Sequence, residues 1–285
     1  MSAAERDRLP GSGARGAEQG NAQRPTVTVT VDGKAVKARE GAFVLEAARA
    51  AGVEIPTLCH HPGLEPYGGC RLCVVDVTRP DWEGWCKLVI SCQFPVEDGL
   101  IVLTDTERVV ETRKVVLDLL LARCPETPLI QSLAARYGIE KTSYLRNPQP
   151  TDCILCALCT RVCDHIGVSA IATVNRGIGR EVAPPWGEAP PDCIGCLACA
   201  EICPTSCIPY ETSDRSRTIW GKTFEMLRCS RCGKARVTVA EADHFAGRGG
   251  VPRSYFELCD TCKRKDMAAT FARLSAGAAG MAAGA

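Results

Sequence analysis

The 285-residue sequence predicts an α+β chain made of several small modules rather than one large apolar core. Three observations predict it. A period-two run, Thr-Val-Thr-Val-Thr-Val, opens at Thr26 and leads through a turn into a helical stretch. Helix-spaced valines and leucines follow from residue 105. The chain also holds 19 cysteines, mostly in C-x-x-C pairs, while aromatic residues make up only 5%. Closely paired cysteines have the spacing of metal ligands, not that of a disulfide scaffold, so bound metal is the first chemistry to expect.

Residues 1–24, a mixture of Gly, Ala and charged residues, read as a flexible arm without the apolar stretch of a secretory signal. The alternating strand from Thr26 reaches Asp32-Gly33, a hairpin turn, and a second short strand covers Ala35 to Ala38. Val44 to Ala51, closed by Gly52, reads as a helix. Leu72 to Thr78 and Leu100 to Leu103 are further strands, ending a first module at 25–104. Thr104 with Glu107 forms a capping-box pattern for a helix over Asp105 to Arg123, and Pro128 to Tyr137, closed by Gly138, is a second helix. These make a helical linker at 105–144. A cysteine-dense module spans 145–212, a four-cysteine segment 213–274, and an Ala/Gly tail 275–285. Within the third segment Ala235 to Val239 reads as a strand, Ala246 to Gly250 as flexible chain, and Lys263 to Leu274 as a short basic helix.

Composition excludes several classes. A formal net charge of +1 is too neutral for a general nucleic-acid surface. No run approaches the roughly 18 apolar residues of a membrane span. The expectation is a soluble, cytoplasmic chain in a reducing compartment where thiolates stay available. No Gly-rich dinucleotide loop, catalytic triad or metalloprotease motif is present, so no catalytic residue is assigned.

The sharpest pattern is Cys153-x2-Cys156-x2-Cys159-x3-Cys163, repeated as Cys193-x2-Cys196-x2-Cys199-x3-Cys203-Pro204. This is the bacterial ferredoxin run, in which three thiolates bind one [4Fe-4S] cube and the fourth crosses to the other. It assigns Cys153, Cys156, Cys159 and Cys203 to one cube, and Cys193, Cys196, Cys199 and Cys163 to the second. Asp164 stands where proline is common, and Trp186 lies in the long insertion between the runs. Cys207 and Cys124 read as small buried side chains without an iron.

An earlier group, Cys59-x10-Cys70-x2-Cys73, has two candidate fourth members by spacing, Cys86 and Cys92. Four thiolates satisfy the two irons of a [2Fe-2S] cluster. Gly68 and Gly69, without Cβ, let backbone N–H groups approach its sulfurs. His60 and His61 beside Cys59 read as tuning or capping residues.

The strings Ile55-Pro56-Thr57-Leu58-Cys59-His60-His61-Pro62, Gly69-Cys70-Arg71-Leu72-Cys73 and Ser91-Cys92 through Gly99 resemble one family. It is the β-grasp [2Fe-2S] domain of the small iron-sulfur (diaphorase) subunits of NAD-linked hydrogenases and formate dehydrogenases, and of the N-terminal part of the complex I large iron-sulfur subunit. The resemblance implies a β-grasp fold and the ligands Cys59, Cys70, Cys73 and Cys92. Two features depart from the family. The Cys73 to Cys92 segment is long, with Pro80 to Trp85 as an extended loop. The linker also lacks the histidine and three cysteines that hold a further cube in relatives; only Cys124 is there. Residues 145–212 resemble the two-[4Fe-4S] ferredoxin domain of the same family.

Cys229-x2-Cys232-Gly233 and Cys259-x2-Cys262 offer four thiolates in a zinc-ribbon-like segment. Zinc is the favoured occupant and a third [4Fe-4S] cube the alternative. The nearby Arg228, Arg231, Lys234 and Arg236, with Lys263 to Lys265, suggest a protein interface more than a nucleic-acid one. Altogether the resemblance implies an electron-transfer subunit of an NAD(H)-linked oxidoreductase complex, non-catalytic alone. Its partners would be a flavin-containing NAD(H)-binding subunit and a separate catalytic reductase, hydrogenase or formate dehydrogenase subunit. The alternative is an iron-sulfur assembly scaffold or redox-sensing interaction protein.

Overall fold

The computed structural model describes residues 25–248 and 251–282; the expected arm at 1–24 and the end of the expected tail lie outside the described residues. Contacts divide the chain into two compact units. The first contains the described residues up to 167, with 173–182 and 202–207; the second contains 168–172, 183–201 and the chain from 208.

The first unit starts from β1 (Thr26–Val31), whose alternation turns Val27, Val29 and Val31 inward and its threonines outward. Asp32 and Gly33, with φ of 45° and 81°, form the tight turn to β2 (Lys34–Arg39), paired antiparallel. Helix α1 (Val44–Ala50) buries Val44, Leu45, Ala47 and Ala48 against the sheet. β3 (Val74–Thr78), β4 (Lys87–Ile90) and β5 (Ile101–Leu103) complete a five-stranded sheet of order β2-β1-β5-β3-β4. β1 and β5 run parallel, and the other neighbours antiparallel.

Helix α2 (Glu107–Arg123) begins two residues later than the capping pattern suggests. Thr106 is the N-cap, accepting from the Val109 N–H at 3.2 Å. Thr104 is drawn away because its N–H and hydroxyl both donate to Asp32, at 2.8 and 2.6 Å. Thr106 also donates to the buried Asp76 of β3 at 2.6 Å, and Arg108 bonds the same carboxylate. Helix α3 (Pro128–Arg136) returns against α2, and Gly138 closes it at φ 75°. A second core forms here: Leu117, Leu121, Cys124, Ile130 and Ala134 pack with Leu58, Cys59, Leu64 and Leu72 from one cysteine loop and with Ile154, Cys156 and Leu158 from the next. The first unit continues into α4 (Leu158–His165). Two short strands, β6 (Ala172–Val174) and β7 (Glu181–Ala183), form a separate ribbon.

The second unit contains the short α5 (Ala198–Glu201) and a four-stranded antiparallel sheet in the order β11-β10-β9-β8. Its strands are β8 (Tyr210–Thr212), β9 (Ser216–Ile219), β10 (Lys222–Arg228) and β11 (Ala235–Thr238). Helix α6 (Val239–Arg248) follows β11 directly and runs through most of the stretch expected to be flexible. Helix α7 (Asp260–Ala282) starts earlier than the expected basic helix and runs on into the expected tail. Among the described residues no helix is long and apolar enough to cross a membrane.

Candidate metal centres

The β3–β4 hairpin explains the first thiol group. Its register pairs Val74 with Ile90, so Cys73, just before β3, meets Cys92, just after β4; the Ser91 N–H donates to the Cys73 carbonyl at 3.0 Å. Cys86 precedes β4 at the opposite end of the hairpin, about 20 Å of extended chain from Cys92. The extra length of this segment is absorbed there, where Trp82 and Trp85 pack at 5.1 Å, and it leaves the Cys73 end undisturbed. The Cys70 N–H donates to Cys59 Sγ at 3.4 Å.

Cys59 and Cys70 share a sulfur–sulfur hydrogen bond that holds Cys70 down to about 5 and pushes Cys59 up. Cys73 and Cys92 do the same, with Cys73 at about 7 and Cys92 raised. Each pair thus sheds one proton readily, which a thiolate ligand set requires. Gly68 sits at φ 68°, and a Cβ there would lie 2.4 Å from Gln93 Oε1; the Gly69 N–H reaches the Cys59 sulfur. Buried thiols with backbone N–H donors aimed at them fit an iron-sulfur group. His61 caps local backbone, accepting from the Gly63 N–H at 3.1 Å, and His60 lies 3.5 Å from Arg49.

The two ferredoxin-type runs share one unusual winding. Leu155 and Ala157 adopt φ of 54° and 57°, and Gly195 and Leu197, at the same offsets in the second run, adopt 69° and 64°. Left-handed leucine and alanine residues cost about 1–2 kcal/mol each. Alternating αR and αL residues turn successive N–H groups inward as an anion-binding nest, a site suited to thiolate-bound clusters. In the first unit Cys153 and Cys156 lie close enough to Cys203 to feel its charge. Cys207 joins them: its Sγ lies 3.6 Å from that of Cys203, and it also hydrogen-bonds Cys153. Those bonds hold Cys153 down to about 6 and Cys203 to about 5. Cys159 and Cys163 stand on α4, while Cys193, Cys196 and Cys199 belong to the second unit. Cys124 lies in the apolar α2–α3 core, where burial pushes it up to about 11 and keeps it a neutral thiol. Trp186 is 94% exposed.

Arg161, between Cys159 and Cys163, ties the first two groups together. Its guanidinium donates to the Cys59 carbonyl at 2.7 Å and the Glu65 carbonyl at 2.5 Å, and lies 5.1 Å from the centre of the Tyr67 ring. Arg123 donates to the Cys153 carbonyl at 2.8 Å. Buried Arg113 donates to the Val74 carbonyl, one residue past Cys73, at 2.7 Å. None of these arginines stands out in the sequence, because carbonyl partners leave no motif.

In the second unit the Sγ atoms of Cys229, Cys232, Cys259 and Cys262 all lie within 4.8 Å of one another. The Cys259 N–H donates to Cys229 Sγ at 3.3 Å, helping to hold Cys229 down to about 6, and the Cys262 N–H donates to Cys259 Sγ at 3.4 Å. Gly233, at φ 69°, makes the knuckle turn. Arg231 pairs with Asp266 at 2.6 Å and Arg236 with Asp260 at 2.6 Å, so two of the local cations fasten α7 instead of facing a nucleic acid.

Comparison with known proteins agrees with the 2Fe-2S-type domain. Residues 24–107 match the model of a 2Fe-2S iron-sulfur cluster binding domain. The NADP-reducing hydrogenase subunit HndD of Solidesulfovibrio fructosivorans is 33% identical over 190 residues, 55% of this chain and 31% of that one. The mitochondrial NADH-ubiquinone oxidoreductase 78 kDa subunit of Candida albicans is 33% identical over 177 residues, 53% of this chain and 24% of its own. A solved NAD+-reducing [NiFe]-hydrogenase superposes with a TM-score of 0.50 at 30% identity, covering 56% of this chain and 75% of that one. The sheet and its thiols thus define a protein with a 2Fe-2S-type domain and iron-sulfur cofactors. The chain belongs to the family of the matched NAD+-reducing [NiFe]-hydrogenase chain, and over about half its length it is similar to the hydrogenase and NADH-ubiquinone oxidoreductase subunits. It spans about a third or less of the length of these curated relatives.

Proposed function

We propose that this chain relays single electrons between a flavin-bearing NAD(H) subunit and a separate catalytic oxidoreductase subunit in the cytoplasm. In this reading Cys59, Cys70, Cys73 and Cys92 hold one [2Fe-2S] cluster, their two proton-sharing pairs matching two irons with two thiolates each. Cys153, Cys156, Cys159 and Cys203 hold one [4Fe-4S] cube, and Cys193, Cys196, Cys199 and Cys163 the other, in a two-cube ferredoxin domain. When bound, these clusters supply the reversible one-electron chemistry.

The observation that carries the proposal is the shared core. Leu58 and Cys59 pack in one apolar cluster with Ile154, Cys156 and Leu158, so the proposed [2Fe-2S] loop and first cube loop share one core. The chain's own residues bind, fix separation and exclude water. Arg161 and Arg123 clamp the ligand loops by their carbonyls.

For the terminal group the reading is one Zn²⁺. Four thiolates on one ion at about 2.3 Å stand about 3.8 Å apart, whereas cube ligands each sit on a different iron and spread wider. Separations within 4.8 Å favour the single ion. Metal analysis and EPR on the native complex test the whole inventory. About 10 irons and one zinc per chain, with all clusters reduced by the complex's own substrate, are expected. About 14 irons without zinc would refute the zinc reading, and clusters that substrate never reduces would refute the relay.

A further inference from the structure

The C-terminal sheet has no counterpart in the 2Fe-2S domain match, which ends at residue 107. Its strands converge on one short segment, residues 191–195, at the start of the second cysteine run. From β10, Lys222 Nζ donates to the Pro191 carbonyl at 2.5 Å and to the Cys193 carbonyl at 2.9 Å. From β9, Arg217 donates to the Gly195 carbonyl at 2.8 Å. From β11, the fully buried Thr238 donates its hydroxyl to the Ile194 carbonyl at 2.5 Å. Phe224 of β10 lies against Gly195 so closely that a Cβ there would meet its ring at 2.7 Å. Three strands therefore satisfy four consecutive or near-consecutive carbonyls of a loop whose own winding leaves them without helix or sheet partners.

The two cations differ. Arg217 also faces Glu241 at 3.6 Å, so its charge is balanced. Lys222 has no carboxylate partner among the described residues and rests 5.1 Å above the Phe224 ring. It brings a net positive charge onto the backbone of Cys193 itself. A positive charge held beside a cluster favours the reduced, more negative state.

We propose that the β8–β11 sheet is the cradle of the second cysteine run, and that Lys222 is the positioning residue whose charge makes that cube easier to reduce. This rests on the reading of Cys193, Cys196 and Cys199 as cube ligands and extends it to a segment otherwise left as a zinc appendage. Lys222 is half-buried at a strand end, so its replacement leaves the sheet's core intact.

The test uses the full chain in its native complex, purified anaerobically, as wild type, Lys222→Met and Lys222→Arg. Iron is counted, and each cluster is titrated by EPR against solution potential. A parallel Cys196→Ala protein identifies which cube signal belongs to the second run. Lys222→Met is expected to keep its iron, while the reduced-to-oxidised ratio of the second cube at fixed potential falls about tenfold, or about 59 mV for a one-electron couple. The first cube and the [2Fe-2S] cluster stay put, and Lys222→Arg recovers most of the shift. Selective loss of about four irons from the second cube alone also supports the cradle. An unmoved second cube, an equal shift in both cubes, or indiscriminate loss of every cluster overturns the proposal. If Cys196→Ala retains all the wild-type iron, the ligand reading itself fails, whatever Lys222 does.

Discussion

Replacing Arg161 tests whether the [2Fe-2S] loop and the first cube helix are mechanically one piece. Arg161→Ala deletes two charge-assisted bonds, to the carbonyls of Cys59 at 2.7 Å and Glu65 at 2.5 Å, together with the contact over Tyr67. At the low end of about 1.5 kcal/mol for each charge-assisted bond, the loss is about 3 kcal/mol, with about 0.5 more from the cation–π contact. Because these contacts join a loop to a helix, the loss falls on local opening of the Cys59–Tyr67 loop rather than on global unfolding. At 1.4 kcal/mol per factor of ten, the open population rises roughly 300-fold. The assay is iron release to a strong chelator under anaerobic conditions, followed by bleaching of the [2Fe-2S] absorbance. Release from Arg161→Ala should accelerate by about that factor. Arg161→Lys should fall between, since it keeps the charge and loses the planar fork. An Arg161→Ala release rate within threefold of wild type would refute the reasoning.

Four further outcomes are expected. Cys86→Ser keeps the [2Fe-2S] EPR signal and iron content, whereas Cys92→Ser loses the signal; the reverse would contradict the hairpin register that brings Cys73 to Cys92. Cys203→Ala loses about four irons while Cys207→Ala keeps them, as counted by iron and acid-labile sulfide; the opposite pattern would make Cys207 the ligand, which its 3.6 Å contact with Cys203 makes the natural rival. Cys232→Ser loses zinc without loss of iron, measured by plasma emission on the same sample. Asp76→Ala unpairs Arg108 and Thr106 at the start of α2 and costs about 3 kcal/mol, read as a fall of roughly 6–12 °C in the thermal transition at a fixed scan rate.

What the sequence conveyed, and what it withheld, divides along the range of the interactions involved. Local period and turn chemistry were legible: the Thr/Val alternation gave β1, Asp32-Gly33 its turn, and Gly52 and Gly138 the helix stops. The cap of α2 was misplaced from Thr106 to Thr104 because Asp32, 72 residues away, captures Thr104. The sheet around β8–β10 was missed although Thr218 to Leu227 alternates in part, because its turn is Trp220-Gly221, at φ of 54° and 72°, where Asn-Gly or Asp-Gly is the usual signal. Cysteine spacing exposed the runs, and the family strings favoured Cys92 over Cys86. The proximity of Cys207 to Cys153 and Cys203 depends on a contact across more than 50 residues that no local spacing encodes.

In the proposed relay the linker is what makes the [2Fe-2S] loop and the first cube loop neighbours. The family resemblance implies a further cube after the linking helix, and a cluster there would lengthen the electron path by one step. In this chain the stretch is apolar packing: Leu117, Leu121, Ile130 and Ala134 close on one another, and Cys124 is held among them as a neutral thiol. A neutral, fully buried thiol with no thiolate neighbour on its own helix hairpin is a poor iron ligand. The same core then reaches Cys59 on one side and Cys156 on the other, so this stretch joins the two proposed ligand loops directly. Arg161 crosses that junction from the cube helix to the Cys59 carbonyl. In the proposed relay the path therefore has no step at the linker, and the residues there instead pack the two ligand loops against one core.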